Sequence, residues 1–327
     1  MTSGESDRTT ALKELHERVT GLRSALGELV VGQDEAVLEI LIALLCGGHV
    51  LLEGVPGIAK TLLARSLTSA LGLEFRRIQF TPDLTPADVT GTNLFDFQSG
   101  TFHLQKGPVF TNILLADEIN RTPPKTQSAL LEAMEERQVT IDGVSHPLAA
   151  PFFVIATQNP LEHEGTYPLP EAQLDRFLIK VEMTYPVEDE ELEIYRRFLD
   201  GRLGLSSGSA RVNKVLDAGD IARTRDVLEG VHVEDKMLAY LKDLVVSSRR
   251  SLHLSLGASP RAGMALLAAS RARAALAGRD FVIPDDVKRM AGPVLRHRLL
   301  PTPEAELEGM TASTILERLV GTIEVPR

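Results

Sequence analysis

The segment Gly54-Val55-Pro56-Gly57-Ile58-Ala59-Lys60-Thr61 has the residue types and spacing of a loop that cradles phosphate. It follows a strand-like apolar run, His49 to Leu52, and opens a helix-like one, Leu62 to Leu67. Backbone N–H groups and a helix N-terminus would therefore converge on anionic oxygens. Lys60 would bring a point charge to the β- and γ-phosphates, and the Thr61 hydroxyl would be a Mg²⁺ ligand. The usual pattern has glycine directly before the lysine, and here Ala59 stands there. If that position requires a positive φ, alanine carries a steric cost that glycine avoids. Without its flanks the segment would be an ordinary turn with a surface lysine.

Further residues could complete a phosphate chemistry. The run Asn112 to Ala116 ends in Asp117-Glu118, and ligands of open α/β sheets bind at the carboxyl ends of strands. Asp117 would reach Mg²⁺ through its water shell, while Glu118 would orient and deprotonate an attacking water. A pair of helix-capping acids is the plainer alternative. Phe152 to Thr157 leads into Gln158-Asn159-Pro160, so another strand ends in a residue able to bond a phosphate or the lytic water. Arg261 follows Ser259-Pro260, an N-cap and first-turn signature. A cation there opposes the helix dipole unless an anion is also present, which makes Arg261 either a phosphate sensor or a solvated residue. Arg176, in Gln173-Leu174-Asp175-Arg176-Phe177, stands at the entry to a last strand. It could reach a neighbouring subunit's γ-phosphate as an arginine finger, or pair with Asp175 at the surface.

Such residues need a scaffold, and the chain has the length for one. Its 327 residues can hold a large domain and a smaller one. Apolar content of 43% and charged content of 24% are ordinary for a globular protein. A net charge of −10 argues against a general polyanion binder. The single cysteine, Cys46, excludes an intrachain disulfide framework and fits a reducing compartment. Residues 1–10 are polar, carry no secretory h-region and are expected to be disordered. The most hydrophobic window, Val37 to Leu45, is too short to span a bilayer. A cytoplasmic protein without membrane insertion is expected. The eight histidines show no metal-ligand spacing, so no metal beyond nucleotide-bound Mg²⁺ is expected.

Leu12, Leu15, Val19 and Leu22 recur at helical spacing. β-rich runs follow around Val50 to Leu52, Phe75 to Phe80, Ile113 to Leu115, Phe152 to Ala156 and Phe177 to Val181. Their separation by helical or loop sequence is the rhythm of a parallel sheet with helices on both faces. Two segments break it as hairpins would, Leu94 to Leu104 around Gln98-Ser99-Gly100 and Gln138 to Leu148 around Asp142-Gly143. Beyond Pro186 the patterns are helical at Glu188 to Leu199, Glu234 to Ser247, Pro260 to Leu276 and Pro284 to Leu295. A Gly- and Ser-rich loop is expected from Gly201 to Ser209. The expected organisation is a core over residues 11–186, with two inserted hairpins, and a helical lid over 187–327.

Together these pieces resemble an AAA+ ATPase of the MoxR family, in the branch shared with magnesium chelatase and MCM subunits. The resemblance covers roughly Val30 to Leu300. Gly54 to Thr61 is similar to the family's Walker A, in which Ala before Lys is common, and Leu114 to Arg121 to its Walker B and extension. Asn159 matches sensor 1, Arg176 the arginine finger and Arg261 sensor 2, whether for its own site or a neighbour's. Val31-Gly32-Gln33 resembles the segment beside adenine. The two hairpins resemble the helix-2 insert and the pre-sensor-1 hairpin, which in the family line the axial face or pore of a ring. The implied fold is an α/β AAA+ P-loop core with a five-stranded parallel sheet, order 5-1-4-3-2, and a C-terminal helical lid. That order would set the Asn159 strand between the phosphate-loop strand and the Asp117 strand. The resemblance implies ATP and Mg²⁺ as cofactors and a homo-oligomer, as a hexameric ring. It further implies a chaperone-like motor that acts with a von Willebrand factor A (VWA) domain protein on a client complex, in maturation or metal insertion. A nucleic-acid motor of the MCM type and a nucleotide-gated scaffold are the alternatives. The acidic chain without a zinc-ligand cluster argues against the first, and the full catalytic set against the second.

Overall fold

The structure is a computed structural model and describes residues 3–160, 165–203 and 214–326. The chain begins with α1 (Ser3–Gly27) and α2 (Asp34–Leu45), followed by β1 (Val50–Glu53), α3 (Lys60–Leu71) and β2 (Phe75–Gln79). A short α4 (Pro86–Thr90) runs directly into a hairpin of β3 (Gly91–Asp96) and β4 (Thr101–Lys106). Next come β5 (Ile113–Asp117), α5 (Pro124–Glu136) and a second hairpin of β6 (Gln138–Ile141) and β7 (Val144–Pro147). β8 (Phe153–Gln158), α6 (Glu171–Leu174) and β9 (Ile179–Glu182) complete this part. The helical remainder holds α7 (Glu188–Leu199), α8 (Ala218–Glu229) and α9 (Asp235–Arg250). A strand β10 (Leu254–Leu256) precedes α10 (Pro260–Leu276) and α11 (Pro284–Leu295), and β11 (Leu300–Pro301), α12 (Pro303–Leu307) and α13 (Ala312–Thr322) end it.

The central sheet has the order β2-β5-β8-β1-β9 with every pair parallel. Counting only its own strands along the chain and reading from β9, this is 5-1-4-3-2, as expected. Continuous apolar runs suit strands covered on both faces. Leu52, Leu115, Ile155 and Val181 join one core with residues of α1, α2 and α3. Leu51, Leu114, Ala116 and Val154 join the other, with Leu130, Leu131 and Met134 of α5. In the helical part, α10 packs on α1 and α2, and α11 on β9. Leu266 and Val294 belong to the same core cluster as Leu22 and Ile42, so the lid is seated beside the sheet. No helix among the described residues is long and apolar enough to cross a membrane.

One expectation is corrected. Residues 3–10, expected to be disordered, form the first turns of α1. Once Leu12, Leu15, Val19 and Leu22 anchor the helix in the core, each residue added in front gains a backbone hydrogen bond without a new nucleation cost. Residues 1 and 2 lie outside the described residues, as does the expected Gly/Ser loop from residue 204 onward.

Both hairpins are present. Asp142 (φ 49°) and Gly143 (φ 80°) supply the two left-handed positions of the tight turn between β6 and β7. At the first hairpin's base the backbones touch: a Cβ on Gly91 would lie 2.3 Å from the Gln105 carbonyl oxygen, and one on Gly107 2.3 Å from that of Val89. At its other end Phe95, Phe97 and Phe102 form an exposed cluster with ring centroids 5.1 and 5.2 Å apart. Asn93 Nδ2 donates to Asp142 Oδ2 at 2.8 Å and joins the two hairpins.

Candidate functional site

The loop from Gly54 to Ala59 links the carboxyl end of β1 to the first turn of α3. Gly54 admits no side chain, because a Cβ would meet Ile58 Cδ1 at 2.5 Å and the Met183 carbonyl oxygen at 2.7 Å. Gly57 has φ 87°, and Ala59 sits at φ 65°, ψ 23°. Ala59 thus occupies the left-handed region and carries the steric cost that the sequence made conditional. Lys60 Nζ donates to the Gly54 carbonyl oxygen at 2.7 Å, which folds the ammonium back over the loop. Thr61 follows in the first turn of α3, where no acidic residue stands, so the helix dipole favours an anion there. Val55, Pro56 and Ile58 complete the loop, Ile58 with its side chain buried.

Val31, Gly32 and Gln33 are held beside the same edge of the sheet. Gln33 is buried and its Nε2 donates to the Thr184 carbonyl oxygen at 3.0 Å. Gly32 (φ 75°) lies so close to the first turn of α7 that a Cβ would meet Glu190 Oε2 at 2.4 Å. Since Gly54 also abuts Met183 just past β9, the segment and the phosphate loop both lie against the chain that leaves this strand.

Asp117 ends β5 at this edge, and Glu118 follows with φ 59°. Thr157, buried at 1% exposure, fixes both. Its hydroxyl donates to Asp117 Oδ1 at 2.6 Å and accepts from the Glu118 backbone N–H at 2.9 Å. Arg77 donates to Asp117 Oδ2 through Nη2 at 2.6 Å and Nε at 3.1 Å. Glu118 Oε2 accepts from Gln79 Nε2 at 3.3 Å and lies 3.2 Å from Arg121 Nε. Asn159 follows β8 and is buried. With β8 between β5 and β1, Asn159 stands between the acidic pair and the phosphate loop.

Arg176 and Arg261 lie elsewhere. They share a cavity of about 240 Å³ with Gly47, Gly48 and His49, which precede β1, and with Leu178, which precedes β9. This is the amino edge of the sheet, about 10–13 Å of strand away from the phosphate loop. Arg176 Nη1 donates to the Leu131 carbonyl oxygen at 2.7 Å, and its Nε lies 3.2 Å from Glu135 Oε2. Arg261 lies 3.6 Å from Glu135 Oε1 and 3.8 Å from Asp175 Oδ2. Asp175 also accepts from Arg298 Nε at 2.6 Å. Arg137 and Arg298 line the cavity too, so arginines outnumber the carboxylates Glu135 and Asp175 and the wall suits an anion. Beneath it His49 is neutral: Nδ1 accepts from the Val154 N–H at 3.0 Å, which leaves the proton on Nε2, 3.1 Å from the Met134 carbonyl oxygen. Burial, with Arg137 adding to it, pushes the His49 pKa down to about 3.

The structure therefore gathers Gly32, Gln33, the loop 54–61, Asp117, Glu118 and Asn159 at one edge, and Arg176 with Arg261 at the other. Sequence reasoning missed Thr157, Arg77 and Gln79 as parts of the site. Thr157 left a signal, a hydroxyl where the apolar run of β8 stops. Arg77 and Gln79 left one only in hindsight, as polar residues two apart on an edge strand.

Two families match the chain: the ATPase family associated with various cellular activities (AAA) over residues 49–179, and the AAA lid domain over residues 246–319. The chain is 44% identical over 317 residues to the uncharacterized protein YeaC of Bacillus subtilis (strain 168), covering 96% of this chain and 97% of that one. It is 44% identical over 308 residues to the chaperone MoxR1 of Mycobacterium tuberculosis, with 91% and 80% covered. With the protein MoxR of Paracoccus denitrificans it shares 30% identity over 340 residues, with 96% and 98% covered. A crystal structure of a proposed ATPase from Cytophaga hutchinsonii superposes with a TM-score of 0.89 at 38% identity over 100% of both chains.

Proposed function

The chain belongs to the MoxR family of AAA+ ATPases, and from that premise we propose that it hydrolyses Mg²⁺-ATP as a ring whose active sites lie between subunits. The observation that carries this reading is the separation of the arginines from the phosphate loop by the length of the strands. Within one subunit Arg176 and Arg261 are on the wrong edge to meet its own nucleotide. In a head-to-tail ring the amino edge of one copy faces the carboxyl edge of the next. Both arginines then serve a neighbour, so Arg261 is read here as acting on the next subunit's site.

In this site the backbone N–H groups of the phosphate loop and Lys60 hold the β- and γ-phosphates, with Val31 to Gln33 beside the base. The Thr61 hydroxyl and Asp117 carboxylate are the hard oxygen donors that Mg²⁺ takes when most of its shell is water and phosphate. The ion supplies charge neutralisation on the transferring phosphoryl group. Glu118 accepts the proton of the attacking water, with its Oε2 held by Gln79 and Arg121. Asn159 orients that water or the γ-phosphate.

The ring acts as a chaperone-like motor on a protein client, with a VWA-domain protein as adaptor. The chaperone name of the Mycobacterium relative supports the first half of that statement. The exposed Phe95-Phe97-Phe102 cluster supports a polypeptide client, since the hairpin offers an apolar surface and few cations.

Mixed rings test the shared site. Lys60→Ala has a dead pocket and intact arginines, and Arg176→Ala the reverse. Each alone is expected to turn over ATP at least tenfold more slowly than the wild type, and their mixture to recover a sizeable fraction of the wild-type rate. A mixture that never exceeds the average of its parts removes the arginine from the neighbour's site.

A further inference from the structure

We infer that Arg77 is a placeholder cation: it occupies the carboxylate oxygen that the metal needs, and metal-nucleotide binding proceeds by displacing it. The inference rests on the reading of Asp117 as a metal ligand given above.

Both oxygens of Asp117 are engaged. Oδ1 accepts from the Thr157 hydroxyl at 2.6 Å, a contact inside the core that a metal's water shell need not disturb. Oδ2 is covered by the paired Nη2 and Nε contacts of Arg77 at 2.6 and 3.1 Å, the planar fork that matches a carboxylate. A hydrated divalent cation cannot use that oxygen while the guanidinium is on it. Arg77 makes no second hydrogen bond or ion pair among the described residues, so Asp117 alone holds it there. The neighbouring Glu118 has its own cation in Arg121.

The exchange is cheap in one direction. Arg77 stands on β2, an edge strand of the sheet, with 39% of its side chain exposed, whereas Asp117 is 14% exposed. A released guanidinium can swing into water without strand rearrangement, and a half-exposed ion pair contributes little to folding. What the pair does is electrostatic: two carboxylates at the mouth of a phosphate site would repel an incoming polyphosphate, and Arg77 with Arg121 offsets both. A divalent cation arriving with the nucleotide takes over that duty at Asp117 and frees Arg77.

The test reads bound metal and not turnover. Mn²⁺ is titrated into protein saturated with ADP, and free Mn²⁺ is followed by electron paramagnetic resonance. Arg77→Met removes the competitor and is expected to tighten Mn²⁺ about three- to tenfold, the range of a half-exposed bidentate pair. Arg77→Lys retains the charge but not the fork, and is expected to fall nearer to Arg77→Met than to the wild type. Its fold is checked by circular dichroism, and it stands in if Arg77→Met proves unstable. Mn²⁺ affinity unchanged in Arg77→Met overturns the inference, as does a lysine variant equal to the wild type, which would reduce the effect to net charge. Asp117→Asn separates the layers. Tight Mn²⁺ binding that survives it overturns the underlying metal assignment and the inference with it, whereas loss of tight binding supports both.

Discussion

Replacing Thr157 by Val removes one hydroxyl and almost no volume, at a side chain that is 1% exposed. The hydroxyl makes two bonds, a 2.6 Å donation to Asp117 Oδ1 and a 2.9 Å acceptance from the Glu118 N–H. A bond to a charged group contributes about 1.5–3 kcal/mol and one between neutral groups about 0.5–1.5 kcal/mol. Asp117 keeps Arg77 and is partly open to water, which lowers the first figure, so the expected loss is about 2–3 kcal/mol. For a chain of this size that lowers Tm by about 3–4 °C. The melt is followed by far-UV circular dichroism in EDTA without nucleotide, because bound ligand would mask the change. Thr157→Ser retains the hydroxyl and is expected to lose about 1 kcal/mol, the value of one methyl group. A cycle with Asp117→Asn is expected to return a coupling of about 1 kcal/mol or more. Thr157→Val within about 0.5 kcal/mol of the wild type, or a serine variant as unstable as the valine one, would refute the assignment. The bridge also holds the peptide that turns Glu118 into the left-handed region, so turnover in Thr157→Val should fall further than nucleotide affinity.

Ala59→Gly relieves a left-handed alanine, worth about 1–2 kcal/mol, against about 0.5–1 kcal/mol of added freedom in the unfolded chain. A net gain of about 0.5–1 kcal/mol in urea unfolding is expected, and a loss would contradict the observed φ. His49, held near pKa 3 when folded against 6.5 when free, is protonated first in the unfolded chain. Its contribution is complete above about pH 6.5 and drains away at about 1.4 kcal/mol per pH unit as pH falls toward 3. His49→Asn, which retains a donor and an acceptor, should flatten the stability curve over that interval, and an unchanged slope would remove His49 as its source.

What the sequence displayed was local. The phosphate loop, the acidic pair after an apolar run, and the Asp142-Gly143 turn each fit within a few residues, where spacing alone states the geometry. The sheet order came with the family resemblance, and the structure reproduces it. What it did not display was non-local. Arg176 and Arg261 read as separate possibilities because nothing near either one announces that Glu135, on α5, lies within 4 Å of both. Arg77 touches Asp117 diagonally across two strands, a contact that depends on register. The polar start of α1 misled because disorder was judged from composition, while the helix is carried by the apolar stripe behind it.

The glycine contact at the base of the first hairpin has a mechanical corollary. Gly91 and Gly107 leave no room for a Cβ between α4 and the two strands, which abut there backbone to backbone. The six residues of β3 make an arm of about 20 Å from that pivot. A rotation of about 5° at its foot would carry the ring of Phe97 through nearly 2 Å, by lever geometry on that strand length. The foot is joined by a short connection to β2, whose Gln79 donates to Glu118. A small tilt at the foot is thereby magnified into a displacement of the size of an atom at the aromatic tip.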